Sequence, residues 1–90
     1  MSKQFRFAFI VMSRGFDPSQ NHAMMEVDSC KAVLVGVARL DQACAAAQHL
    51  ISTGEVDRIE LCGAFGEAGA KAVQEAVGKD ISVSYIVPLQ

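Results

Sequence analysis

Two amphipathic stretches, each stopped by a glycine and each set between short apolar runs, limit this chain to very few folds. Leu40–Thr53 places Leu40, Ala43, Cys44, Ala47, Leu50 and Ile51 at three- and four-residue steps, and Gly54 follows. That spacing predicts a helix with one apolar stripe and a glycine beyond its last turn. Arg39 stands where a short polar cap is favoured, so the helix start is weakly specified. Glu67–Val77 repeats the pattern with Ala72, Val73, Ala76 and Val77, with Gly69 one turn earlier and Gly78 as the stop. Around these stretches, Phe5–Met12, Lys31–Val37, Asp57–Cys62 and Ile81–Val87 read as strands, rich in β-branched and aromatic residues. Ala23–Val27 reads as one more, joined to Lys31–Val37 across Asp28-Ser29-Cys30 at hairpin spacing. The order is strand, hairpin, helix, strand, helix, strand. Right-handed crossovers make the strands flanking the helices parallel and leave Ala23–Val27 as an antiparallel edge.

The faces of these strands matter most. Ile59 and Leu61 point one way, and Arg58, Glu60 and Cys62 the other. Ile81, Val83, Tyr85 and Val87 oppose Ser82, Ser84 and Ile86. Two ordinary helices cover one face of such a sheet, so the semi-polar face meets solvent, a ligand or another subunit. In the first strand Phe5, Phe7, Phe9 and Val11 share a side, and three phenylalanines suggest that this side meets the helices. The expected fold is a two-layer α/β sandwich, with a mixed, mostly parallel sheet of four to five strands and two helices on one face. The alternative is half of a (β/α) barrel completed by oligomerisation.

The totals bound the rest. A chain of 90 residues is read as one domain, residues 1–90. A chain of this size buries only about 60–65% of the surface its unfolded form exposes. With 51% apolar residues, part of that apolar surface is expected to be covered by self-association, as a homodimer or higher. The net charge is −2, with basic and acidic residues interspersed, which argues against nucleic acid as a partner. The apolar runs fall far short of the roughly 18 residues of a membrane span. No secretory signal is evident, so the cytoplasm is the expected location. Cys30, Cys44 and Cys62 lie far apart with no C-x-x-C spacing, which fits a reducing compartment. His22 and His49 show no paired ligand spacing, so no metal and no cofactor is expected.

The candidate site centres on Cys62-Gly63-Ala64-Phe65-Gly66, where a strand bends into a helix. Parallel sheets bind ligands at the carboxyl ends of their strands. Glycines there admit close backbone approach, and amides at a helix start attract anions. The spacing is not a nucleotide fingerprint, and the glycines are equally explained by a tight turn. Glu60, a carboxylate within a strand, could act as acid or base or simply pair with a basic residue such as Lys31. Cys62, beside a helix N-terminus, is in a setting that favours a thiolate, or is a small packed thiol. Arg14, after the first strand, could clamp an anion at the same edge, and His22, in the long loop 13–22, could reach it.

The run Glu60-Leu61-Cys62-Gly63-Ala64-Phe65-Gly66, followed by Gly69-Ala70-Lys71, resembles an uncharacterised family of short bacterial α/β proteins. The Phe-rich first strand, Asp17-Pro18 and Val35-Gly36-Val37 share the resemblance, which spans most of the chain. It implies a small single domain and carries no activity. Three functions remain open. The first is a small-molecule or anion-binding homo-oligomeric module whose site uses Arg14, His22, Glu60, Gly63, Ala64, Phe65 and Gly66 at the carboxyl ends of the strands. The second is a structural or interaction subunit. The third is a small enzyme with Glu60 as acid or base, assisted by Cys62 or Arg14.

Overall fold

The computed structural model describes residues 3–90. The strand Phe5–Met12 (β1), apolar apart from Arg6, lies at the centre of the sheet. After it come β2 (His22–Val27), β3 (Cys30–Val37), α1 (Leu40–Ser52), β4 (Arg58–Leu61), a single 3-10 turn (Gly63–Phe65), α2 (Gly66–Val77) and β5 (Ser82–Tyr85). The five strands form one sheet in the order β2-β3-β1-β4-β5. β1 pairs in parallel with β3 and β4, β4 pairs in parallel with β5, and β2 is the antiparallel edge. This is the two-layer α/β arrangement expected from the sequence.

The parallel register sets the core. It aligns Ala8 with Val33 and Ile59, and Ile10 with Val35 and Leu61. These residues are buried beneath Ala43, Ala47 and Leu50 of α1 and Ala70 and Val73 of α2. Ile10, Ile59 and Leu61 are almost fully enclosed, and full burial of one such side chain is worth about 1.5–3 kcal/mol.

The faces of β1 are therefore the reverse of the sequence expectation. Ala8 and Ile10 meet the helices, and Phe5, Phe7, Phe9 and Val11 lie on the open face. The reason is steric and electrostatic together. α1 approaches through alanines, and a small residue at position 8 lets it come close. The neighbouring β4 can bury Ile59 and Leu61 but not Arg58 and Glu60, because an unpaired buried charge is costly. Once the register with β4 is set, every side of β1 follows.

Local chemistry explains the ends of α1. Oε1 of Gln42 accepts the backbone N–H groups of Ala38 (2.8 Å) and Arg39 (3.2 Å). The start is thus capped from inside the helix, while Arg39 reaches Asp41 at 2.9 Å. At the other end Gly54 adopts φ +78, and the carbonyl of Leu50 accepts the N–H groups of both Glu55 and Val56. Gln48 Nε2 donates to the Ala76 carbonyl at 2.9 Å and ties α1 to α2. Gln74 Nε2 donates to the carbonyls of Gly78 and Ile81, fixing the lead into β5. Among the described residues, no helix is long and apolar enough to cross a membrane.

Candidate functional site

β1 and β4 run in the same direction, so Arg14 and Gly63 both lie beyond the carboxyl ends of their strands. Arg14 is exposed at the tip of a turn in which Phe16 N–H donates to the Ser13 carbonyl at 3.2 Å and Gly15 takes φ +99. Gly63-Ala64-Phe65 is the single 3-10 turn, closed by Phe65 N–H donating to the Cys62 carbonyl at 3.2 Å. Gly66 follows with φ +62 and ψ −176, a conformation open essentially to glycine alone. The Phe65 ring is 6% exposed and packs in the core, where a Cβ on Gly69 would meet Phe65 Cβ at 3.1 Å. Phe65 and Gly66 thus shape the bend, while Gly63 and Ala64 are exposed and no side chain caps α2.

Glu60 stands on the open face between Phe9 and Ser84 in the strand register. Lys31, the basic residue anticipated as its partner, pairs with Glu55 at 3.8 Å instead. Cys62 Sγ accepts the backbone N–H of Met12 at 3.3 Å and packs against the core. His22 is not brought to it. It sits on β2 opposite Val35, three strand spacings from β4, or roughly 14 Å. A Cys–His couple between these two residues is not assembled.

His22 takes part in a different arrangement. The two helices cover β3, β1, β4 and β5, and β2 projects beyond α1 as an uncovered edge. A groove of about 490 Å³ runs along that notch. Val33, Val35 and Leu50 form its buried apolar floor. His22 from β2 and His49 from α1 line it together with Gln42 and Glu55. Its outer wall is Pro18-Ser19, part of the loop between β1 and β2.

That loop is ordered by its own polar groups. Asp17 Oδ1 accepts the N–H and hydroxyl of Ser19 at 3.0 and 2.8 Å. The Asp17 carbonyl accepts the N–H groups of Gln20 and Asn21, and Asn21 Oδ1 accepts the Asp17 N–H. The hydrogen bonds from Ser19 hold the Asp17 carboxyl below its usual value. At its start the loop is pinned by Phe16, whose ring lies over Gly36 on the other face of the sheet. A Cβ on Gly36 would come within 2.8 Å of Phe16 Cγ.

A family model matches residues 5–89, which include the whole sheet and both helices. The chain belongs to DUF6506, a family of unknown function. No curated protein and no solved structure matches it. The bend at Cys62–Gly66 and the groove both lie within the part matched to DUF6506.

The two regions differ in what they can do. The bend offers exposed backbone at Gly63 and Ala64 with Arg14 at the same sheet edge. The groove offers an apolar floor and two imidazoles, each able to donate and accept one hydrogen bond when neutral. His49, Gln42 and Glu55 were not singled out from the sequence. Their signal was indirect, because five strands under two helices must leave an edge strand bare, and His22 is on that edge. Among the described residues, no three His, Cys, Asp or Glu side chains are grouped to hold a metal ion.

Proposed function

We propose that the chain is a small-molecule-binding module and that the groove between α1, β3 and the β1–β2 loop is its site. The observation that carries this reading is that His22 and His49, from different elements, both line a groove floored by Val33, Val35 and Leu50. A concave apolar surface with a few convergent polar groups is the usual form of a small-ligand site. The preordered Asp17 turn supports it, because a wall built in advance lowers the ordering cost of binding. No lysine or arginine lines the groove among the described residues, so the ligand class is a neutral, compact molecule with an apolar body and one or two hydrogen-bonding groups. This moves the site away from the anion-binding bend. Glu60 and Cys62, the residues the sequence marked for chemistry, do not line the groove, and we favour a binding role there. Three unpaired cysteines support a reducing cytoplasmic setting.

The test is an amide-resolved NMR titration with phenol and benzamide as probes. Shifts should concentrate at His22, Val33, Val35, His49 and Leu50, and His22→Ala should weaken them. Probes that shift nothing, or that perturb only residues 62–66, would refute the assignment to this groove.

A further inference from the structure

The open face of the sheet carries rows of side chains running across the strands. On the three central strands one row reads Ala32, Phe7, Arg58, and the next reads Leu34, Phe9, Glu60. The half over β2, β3 and β1 is apolar and uncovered, with Met25 75% and Leu34 45% exposed. The half over β4 carries one positive and one negative charge. Arg58 places its guanidinium 4.3 Å above the Phe5 ring, and its Nε is buried without a hydrogen-bond partner among the described residues. Glu60 likewise forms no ion pair among them. Two opposite charges thus stand two residues apart on one strand, each without an ionic partner among the described residues.

We infer that this face packs against the same face of a second copy of the chain. The twofold axis lies in the interface, perpendicular to the strands and midway between the two rows. Such an axis lays each strand antiparallel over its own copy and exchanges the rows. Arg58 then faces the partner's Glu60, and Glu60 faces the partner's Arg58. Ala32 faces the partner's Leu34 and Leu34 the partner's Ala32, so a small residue receives a large one twice. On β2, Met25 and Ala23 occupy the same two rows and are matched in the same way, large against small. Phe7 and Phe9 meet at the centre. A twofold interface must be self-complementary, and these rows complement each other in both charge and size. Aligned sheets cross at about 30°, which displaces the outer strands most and leaves β3, β1 and β4 to set the fit.

The area suffices. Five strands at about 4.8 Å spacing and four open-face residues along β1 span a face on the order of 480 Å² per copy before side-chain relief. Relief raises the accessible area toward the roughly 600–800 Å² per partner of specific interfaces. The groove on the helix side remains free in this dimer, so the two proposals stand or fall separately.

The test is a charge exchange read by light scattering and sedimentation. The unaltered chain should run at twice its 9.6 kDa mass at micromolar concentration. Arg58→Glu and Glu60→Arg should each weaken self-association by about tenfold or more, since like charges are then opposed twice. Mixing the two variants in equal amounts should restore a heterodimer, because each supplies the charge that the other lacks. Circular dichroism verifies the fold of each. A role confined to one chain cannot make the mixture tighter than its components, so a mixture that stays dissociated overturns the inference. If either charge variant fails to fold, Leu34→Glu at an exposed position serves instead, and a dimer that survives it overturns the inference equally. A monomeric unaltered chain at about 100 µM does so outright, being weaker than specific interfaces of this size.

Discussion

Replacing Gly36 by alanine should dislodge Phe16, and the size of the effect follows from the geometry. The new Cβ would lie 2.8 Å from Phe16 Cγ, a distance at which the ring must move. Phe16 is 37% exposed, so it holds close to two-thirds of the about 1.5–3 kcal/mol available from burying a phenylalanine. Displacing it therefore costs about 1–2 kcal/mol. Against this, alanine is better than glycine within a strand by about 0.5–1 kcal/mol. The single variant should be neutral to about 1.5 kcal/mol less stable by this balance. In a Phe16→Ala background the clash is absent, and the same substitution should stabilise by about 0.5–1 kcal/mol. The coupling between the positions should thus be about 1–2 kcal/mol in a double-mutant cycle. Urea unfolding followed by circular dichroism, at one protein concentration for all four chains, measures it. A coupling below about 0.3 kcal/mol, within the scatter of additive sites, would show that Phe16 swings aside freely. Glycine at position 36 would then have no steric reason.

Two further substitutions probe the faces and the loop. Ile10→Ala should cost about 2–5 kcal/mol as a core truncation, and Phe5→Ala should cost less despite removing more atoms, because Phe5 is 42% exposed; the reverse ranking by urea unfolding would contradict the assigned faces of β1. Asp17→Ala should cost more stability at pH 7 than at pH 3. The folded carboxyl titrates below its usual value, so its contribution is present above the unfolded value of about 3.9 and fades as pH falls through the folded one. A cost that does not change with pH would refute the stabilisation of the ionised Asp17 carboxyl by Ser19.

Much of the fold was legible because helix and strand periods differ and the chain respects both. Ala43, Ala47 and Leu50 on α1 and Val73 on α2 lie where three- and four-residue spacing puts them, and Ile59 and Leu61 alternate as a half-buried strand should. Gly54 and Gly78 both take positive φ after the last helical turn. The failure at β1 has a specific cause. In Phe5–Met12 one side is wholly apolar and the other carries Arg6 beside Ala8, Ile10 and Met12, so counting apolar residues chose the phenylalanine side. Arg6, at the start of the strand, escapes burial by reaching Asp57 at 3.1 Å. The deciding information was non-local, in the polarity of Arg58 and Glu60 on the strand beside it and in the alanines of α1. A central strand is the one whose facing is least readable alone, because its neighbours supply the constraint.

The same non-locality explains the candidate site. Parallel strands put Arg14 and Gly63 at one edge, and that was readable from topology. What could not be read was the lateral position of His22, because the β2–β3 hairpin can join the sheet on either side of β1. With β3 on the side of β1 away from β4, the hairpin carries His22 away from Cys62 and toward α1, where His49 lines the same groove. The surplus strand thus creates both surfaces that the two helices leave open. On the helix side it forms the wall of a groove, and on the other side it extends the apolar half of a face that also carries Arg58 and Glu60. Removing self-association by Leu34→Glu while retaining probe binding at His22 would separate these two consequences of one edge strand.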